Sequence, residues 1–315
     1  MSTKAEDALI NQELIQNILD APDGVVKMAS EISSKVTRTQ VREEGFQRAI
    51  LPFEPITNAD LDYDGYSELP CVWFELEPFS PAPRVMPYNS TPNTVGYRAE
   101  KYVVLISVVS TEELTKNVNE LRTYKTDVRQ IVKDNQLRDI HTTEDTVFMT
   151  YIDRLADVSN PVALGSAGAE DQTVTMGAAI TRDSLKNALR FLTMRNLPIG
   201  VNLINQLTAY EFLGFEREEI GGDLAEKLLR KGLKALDQFE IFGIPYVSTI
   251  KRDLVPNGFM YQFAPPDYLG HAVMLEDIQV VIKKEYDIIR MRAHEQIGMT
   301  IGNTRGVQCC RFSYV

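Results

Sequence analysis

The chain has 315 residues, 44% of them hydrophobic, enough for one large domain or two ordinary ones with a substantial core. Its net charge of −11 argues against a surface that grips nucleic-acid phosphates through clustered cations. The start shows no signal-peptide pattern, no run approaches the roughly 18 apolar residues of a membrane span, and three cysteines (Cys71, Cys309, Cys310) without C-x-x-C spacing fit a reducing cytosol.

Residues 5–37 read as two helical segments split by "APDG". Leu9, Leu14 and Ile18 recur at helical spacing in the first, and Val25, Met28, Ala29, Ile32 and Val36 in the second. They precede any compact pattern and form an arm, to be docked on its own domain or on a neighbouring subunit. From Pro52 to Tyr97, "SELPCVWFELEPF" alternates like a strand, prolines follow at 81, 83, 87 and 92, and "GYRAEKYVVLISVVS" returns as a β-branched strand. This is a long hairpin with a stiff polar tip, of a length that calls for a function or a partner to lie on.

Ser110 and Glu113 spell a capping box, and Leu114, Val118, Leu121, Val128, Ile131 and Val132 follow at helical steps, which predicts one long helix from Ser110 to about Ile140. Some 25 residues would give a strut of about 38 Å. "DTVFMTYIDRLADV" reads as mixed and "SNPVALGSAGAEDQTV" as a loop. From about Thr181 to Gly270 a compact αβ block is expected: a capped helix "TRDSLKNALRFLTMRN", a strand "LPIGVNLIN" feeding the short helix "QLTAYEFLGF", a helix "GGDLAEKLLRKGLKAL", and strands in "QFEIFGIPYVSTI" and "GFMYQFAPPDYLG". The stretch after Glu276 alternates apolar and polar residues without proline and reads as long strands returning beside the strut.

In this order the parts resemble the major capsid protein of tailed bacteriophages. The resemblance is carried by "EKYVVLISVVSTEELTKNVNELRTYKTDVRQIVKDN", "LPIGVNLINQLTAYEFLGF", "EIFGIPYVSTIK", "YQFAPPDYLGHAVMLEDIQVVIK" and "AHEQIGMTIGNTRGVQCCRF", and covers essentially the whole chain. It implies an α+β chain of the HK97-like capsid fold, named after phage Hong Kong 97. The implied parts are an N-terminal arm (1–47), a first peripheral piece (48–59), an extended β-hairpin loop (60–102), a peripheral domain with the long spine helix (103–180), an inserted axial domain (181–276) and closing peripheral strands (277–315).

The resemblance further implies self-assembly into pentamers and hexamers that tile an icosahedral shell around DNA. The hairpin from Asp60 to Tyr102 would lie across one neighbour, the arm before Gly45 would wrap another, and the block from Thr181 to Met274 would crowd the ring axis. Portal, scaffolding and decoration proteins are the implied partners, the scaffolding protein as a separate chain, with the virion as destination and the host cytoplasm as site of synthesis. Some members of the family weld their shells by an isopeptide bond from a loop lysine. No lysine lies between Lys35 and Lys101 here, so that reaction is not expected.

The chemistry-bearing residues point the same way, with no catalytic residue, cofactor site or metal site expected. Gly298, Gly302 and Gly306 match no phosphate-binding motif and read as turn or bulge positions. His294, Cys309 and Cys310 form a poor zinc set, because adjacent cysteines on a strand point to opposite faces. Cys71 reads as a small buried hydrophobe. His141 and His271 lack a nearby nucleophile arrangement, and the pairs Glu112–Glu113 and Glu218–Glu219 read as helix-terminus charges. The Asn89 sequon lacks a secretory context, and Arg305 is a candidate partner for an acidic group on an adjacent subunit. Two rivals share these features: an encapsulin-like nanocompartment shell with enzyme cargo, and a cytosolic αβ enzyme.

Overall fold

The computed structural model describes residues 45–63, 69–78, 99–121, 128–214, 238–241 and 243–313, with scattered positions from 83 to 96. The arm before Gly45, most of the proline-rich tip and the helix expected at "GGDLAEKLLRKGLKAL" lie outside these residues. Described elements begin with a single helical turn, α1 (Gln47–Ile50), followed by strands β1 (Phe53–Pro55), β2 (Asp62–Tyr63), β3 (Pro70–Glu75) and β4 (Lys101–Leu105). β2, β3 and β4 form a three-stranded antiparallel sheet, the base of the expected hairpin.

The predicted helix start at Ser110 is corrected. Ser107–Ser110 is strand β5 and Leu114–Asn117 is strand β6; after a short turn of helix α2 (Val118–Leu121), the long helix α3 runs from Val128 to Leu155. Both strands pair antiparallel with β14 (Ile288–Ile301). Between them Thr111 exchanges hydrogen bonds with Ala293, its N–H donating at 2.9 Å and its hydroxyl accepting the Ala293 N–H at 2.9 Å. Tertiary pairing of a β-branched run thus overrides the local capping signal. At the other end, the "mixed" segment stays helical because Phe148, Met149 and Ile152 form a buried stripe. The 28-residue helix is about 42 Å long. It ends at Asp157, whose φ of 47° allows the Val158 N–H to reach back to the Asp153 carbonyl at 3.2 Å.

Strands β7 (Val162–Ala163) and β8 (Thr173–Thr175) precede helix α4 (Arg182–Met194). Thr181 and Ser184 cap α4 reciprocally, and Asn196 closes it at φ 59°. Then follow β9 (Val201–Asn205), helix α5 (Gln206–Tyr210), β10 (Gln238–Ile241), β11 (Ile244–Thr249), β12 (Phe259–Phe263), a helical turn α6 (Pro266–Leu269), the hairpin of β13 (Gly270–Glu285) with β14, and β15 (Val307–Arg311).

A seven-stranded sheet runs in the order β10-β11-β9-β12-β15-β8-β7. Its centre is buried on both faces, so neighbouring residues of one strand serve different cores. Ile204, Met260 and Cys310 join Leu185, Phe191 and Tyr246 beneath α4. Leu203, Tyr261 and Cys309 join Phe46, Phe148 and Ile152 on the side of α3. β15 enters between β12 and β8, so this one sheet draws on residues 162–175, 201–263 and 307–311. The second large sheet has the order β1-β13-β14-β5, with β6 also on β14. Among the described residues, no helix is long and apolar enough to cross a membrane.

Candidate functional site

The described residues converge on one buried charge cluster, where α1, α3 and β14 meet. Glu144 and Glu295 have side chains with no exposed surface, and Arg48 reaches both. Arg48 donates from Nη2 to Glu144 Oε1 at 2.6 Å, from Nε to Glu144 Oε2 at 3.0 Å, and from Nη2 to Glu295 Oε2 at 3.2 Å. His141 Nδ1 lies 3.1 Å from Glu144 Oε2. One cation cannot neutralise two buried carboxylates, so burial and the neighbouring Glu144 charge push the Glu295 carboxyl up to about 8 and favour its protonated form. At the next residue of α3, Asp145 accepts the backbone N–H of Gln47 at 2.9 Å and of Phe46 at 3.3 Å, and pairs with Lys251. The two carboxylates of Glu144 and Glu295 are shut off from solvent, while the Arg48 side chain stays 31% exposed. The cluster clamps the beginning of the described chain to the middle of α3.

The base of the extended hairpin is fixed by other means. Phe74 stacks on His271 with ring centroids 4.0 Å apart, Tyr102 lies 5.8 Å from Phe74, and His271 Nδ1 sits 2.9 Å from Glu54 Oε1. Gly302 leaves room for this stack, since a Cβ there would meet the Tyr102 ring at 2.6 Å. Lys101 pairs with Glu75 at 2.7 Å across β3 and β4. Further out, Tyr63, Val85 and Tyr88 stand almost fully in solvent. The β13–β14 hairpin likewise presents its turn to solvent: Tyr286 is 94% exposed and holds a φ of 52°, unusual for a bulky side chain. β1 covers the outer edge of β13 over Ala272–Met274, and among the described residues no strand pairs that edge from Glu276 to Glu285.

No family model and no curated protein matches the sequence. Solved structures do match. The capsid of the cyanophage P-SCSP1u is similar over 93% of this chain and 95% of its own, at TM-score 0.61 and 12% identity. The capsid of a native GTA particle is similar over 93% and 98%, at TM-score 0.59 and 12% identity. A structure from Mycobacterium phage Ogopogo is similar over 91% and 97%, at TM-score 0.56 and 10% identity. The chain has the phage-capsid fold.

Within this phage-capsid fold the residues singled out in the sequence fall in separate places. Cys309 and Cys310 face opposite cores, and His294 lies in the other sheet, opposite Gln279 and Ser110, so the three are not brought together. Among the described residues no group of three His, Cys, Asp or Glu side chains is placed to hold a metal ion. Burial pushes the Cys310 thiol up to about 12. Cys71 is fully buried in β3, where its Sγ donates to the Asp62 carbonyl at 3.3 Å.

Gly302 and Gly306 lie in the turn between β14 and β15, as expected, whereas Gly298 lies within β14 and the reason given for the glycines is corrected. Gly298 and Gly302 do not have positive φ; they are needed for space, and a Cβ on Gly298 would meet the Leu105 carbonyl oxygen at 2.5 Å. Glu113 does not start a helix but pairs with Arg290 at 3.3 Å beside β6. Arg305 pairs with Glu170 of its own chain, both well exposed. Asn89 and Glu218–Glu219 lie outside the described residues.

Sequence reasoning missed the Arg48–Glu144–Glu295 cluster and also Arg195. The latter is buried at the end of α4 and donates to the carbonyls of Ala169, Asp171, Arg305 and Val307 and to the Gln308 side chain. The only local signal was a single arginine before "NLP".

Proposed function

We propose that this chain is a major capsid protein, which self-assembles into pentamers and hexamers of an icosahedral phage head enclosing DNA. The observation that carries this is the likeness to capsid structures over more than nine-tenths of the chain and of each matched chain, with no large part left over for another activity. In this reading the segments 60–102 and 1–47 are contact arms, the block expected at 181–276 surrounds the ring axis with its bounds corrected to the unit of the seven-stranded sheet, which also takes residues 162–175 and 307–311 and gives up β13 to the other sheet, and the rest forms the shell floor. The open β13 edge and the solvated Tyr286 turn are further contact surfaces. The edge carries Asp277, Lys283, Lys284 and Glu285, charges that hinder indiscriminate strand pairing and select a complementary neighbour.

The protein acts through interfaces rather than as an enzyme. Its partners are copies of itself, a portal, a scaffolding protein supplied separately, and a decoration protein where the shell has one. Packaged DNA lies near it without specific contact, which its net negative charge suits. The mature protein resides in the virion.

Size-exclusion chromatography with electron microscopy of the expressed chain tests this reading. Capsomers or closed particles are expected. A uniform small oligomer that never yields particles would contradict it, and shells filled with a protein cargo would replace the phage head by a nanocompartment.

A further inference from the structure

The foot of the extended hairpin rests on the face of the β13–β14 pair, and its two ends are held there by different chemistry. At the inner end the contact is apolar, with Val104, Ile106 and Val273 buried against one another. β4 then crosses β14, where the Thr300 hydroxyl donates to the Val103 carbonyl at 3.2 Å and Gly302 leaves room for Tyr102. At the outer end, at the Phe74–Tyr102 pair beside the last rung of the ladder, Glu75–Lys101, the contact is a group of three rings. His271 comes up from β13 on the same face as Val273. Its ring lies nearly parallel to that of Phe74, at 7° and 4.0 Å between centroids, and 6.3 Å from that of Tyr102.

An imidazole in this stack does what a carbon ring cannot: it can carry a charge. Its Nδ1 lies 2.9 Å from Glu54 Oε1, and the two side chains are 34% and 57% exposed, so that solvent protons reach them. Glu54 faces the ring from β1 and Tyr102 from β4, whereas β3 presents Phe74 and β14 presents Thr300, which do not titrate. Burial, and then the Glu54 charge, push the Tyr102 phenol up, so it stays neutral. Among the described residues, the charge that meets His271 is therefore the negative one of Glu54. An imidazolium gains both from this carboxylate and from the face of Phe74. Seating the foot thus favours the protonated ring. The foot is held most firmly where His271 is charged and less firmly once the pH has risen through the histidine range of about 5 to 8.

We infer that His271 and Glu54 form a proton-dependent joint, which sets how firmly the outer end of the hairpin foot is seated on its own subunit. Loss of the proton does not free the foot, because the apolar contact of Val104, Ile106 and Val273 and the Thr300–Val103 hydrogen bond do not titrate. It loosens the end from which the hairpin leaves the body. The joint lies within one subunit and holds whatever the chain assembles into, so its failure and the failure of the capsid reading are separable.

Amide hydrogen exchange of the full chain as dilute subunits, compared between about pH 5.5 and about pH 8.5 after correction for intrinsic exchange rates, tests the joint. Protection of β3 and β4 should fall about fivefold with rising pH, measured relative to β12 in the seven-stranded sheet. His271→Phe keeps a ring in the stack and leaves Glu295, the other pH-dependent group, in place. It should abolish the fall. Glu54→Gln, at a more exposed position, should reduce it to about twofold. No fall in the unmodified chain, an equal fall in His271→Phe or an undiminished fall in Glu54→Gln would overturn the inference.

A second measurement reads the same joint optically. Trp73 is the single tryptophan of the chain and the neighbour of Phe74 in β3. Its fluorescence anisotropy should drop over the same pH range in the unmodified chain and stay level in His271→Phe. An identical drop in both would also overturn the inference.

Discussion

Glu295 keeps its proton because deep burial, together with the neighbouring Glu144 charge and hydrogen bond, pushes its carboxyl from 4.5 up to about 8. Glu144 goes the other way: burial opposes its ionisation, but hydrogen bonds from His141 and Arg48 and the Arg48 charge outweigh burial and hold it well below the usual carboxylate range. For Glu295 the folded chain binds the proton more tightly than the unfolded chain. Its contribution to stability is therefore complete below about pH 4.5 and is lost as the pH rises toward about 8, whereas that of Glu144 is complete above about pH 4.5 and lost in strong acid.

Stability against urea should accordingly fall from about pH 5 to about pH 8, and Glu295→Gln, which keeps the hydrogen bond without the charge, should flatten that slope. An unchanged slope in the variant would refute the protonated state of Glu295. Arg195 poses the complementary case, a buried cation held by neutral acceptors. Arg195→Met leaves several buried carbonyls without a donor and should cost at least about 3 kcal/mol in urea unfolding.

At this scale the sequence was readable only where the information is local. The opposite orientation of Cys309 and Cys310 follows from strand periodicity alone. The carboxylate cluster does not, because Arg48 meets Glu144 across 96 positions and Glu295 across 247. No spacing rule connects them.

Among the elements, the capped helix at Thr181 and the strands in "VNLIN" and "FMYQF" were legible because caps and apolar runs are local signals that the tertiary structure reinforces. The long helix was misplaced for two reasons. A capping box at Ser110 was outbid by strand pairing with β14, and threonines at 142, 143, 146 and 150 masked a helical stretch whose continuity depends on packing of Phe148, Met149 and Ile152. The β13–β14 turn shows a different kind of conflict, a bulky residue at positive φ that gains no packing from its own chain. Asn tolerates this conformation better, so Tyr286→Asn should leave the isolated subunit as stable or more stable by up to about 1 kcal/mol. If the tyrosine serves a contact between subunits, the same variant should lower particle yield. A destabilised subunit, or undiminished assembly, would remove Tyr286 from the interface account.

For the whole molecule, the order of parts carried more than any motif. The arm, hairpin, long helix, αβ block and returning strands are each weak signals, yet together they anticipated a fold that structures at 10–12% identity share over most of their length. The entry of β15 into the seven-stranded sheet was not legible, because a five-residue strand carries no mark of which sheet it will join.

Lys101 lies at the foot of the extended hairpin, engaged with Glu75, and the stretch from residue 36 to residue 100 has no lysine. Shells should then be held by noncovalent contacts. Assembled particles boiled in detergent with reductant should give a single band no heavier than 35.6 kDa, whereas a ladder of heavier species would show covalent locking by another route.

The most direct test of the account is cryo-electron microscopy of particles assembled from the full chain. It should show closed shells of fivefold and sixfold rings, with the 60–102 hairpin of each subunit lying over a neighbour and the unit of the seven-stranded sheet around the ring axes. Discrete small oligomers in which the hairpin folds back on its own subunit would contradict it.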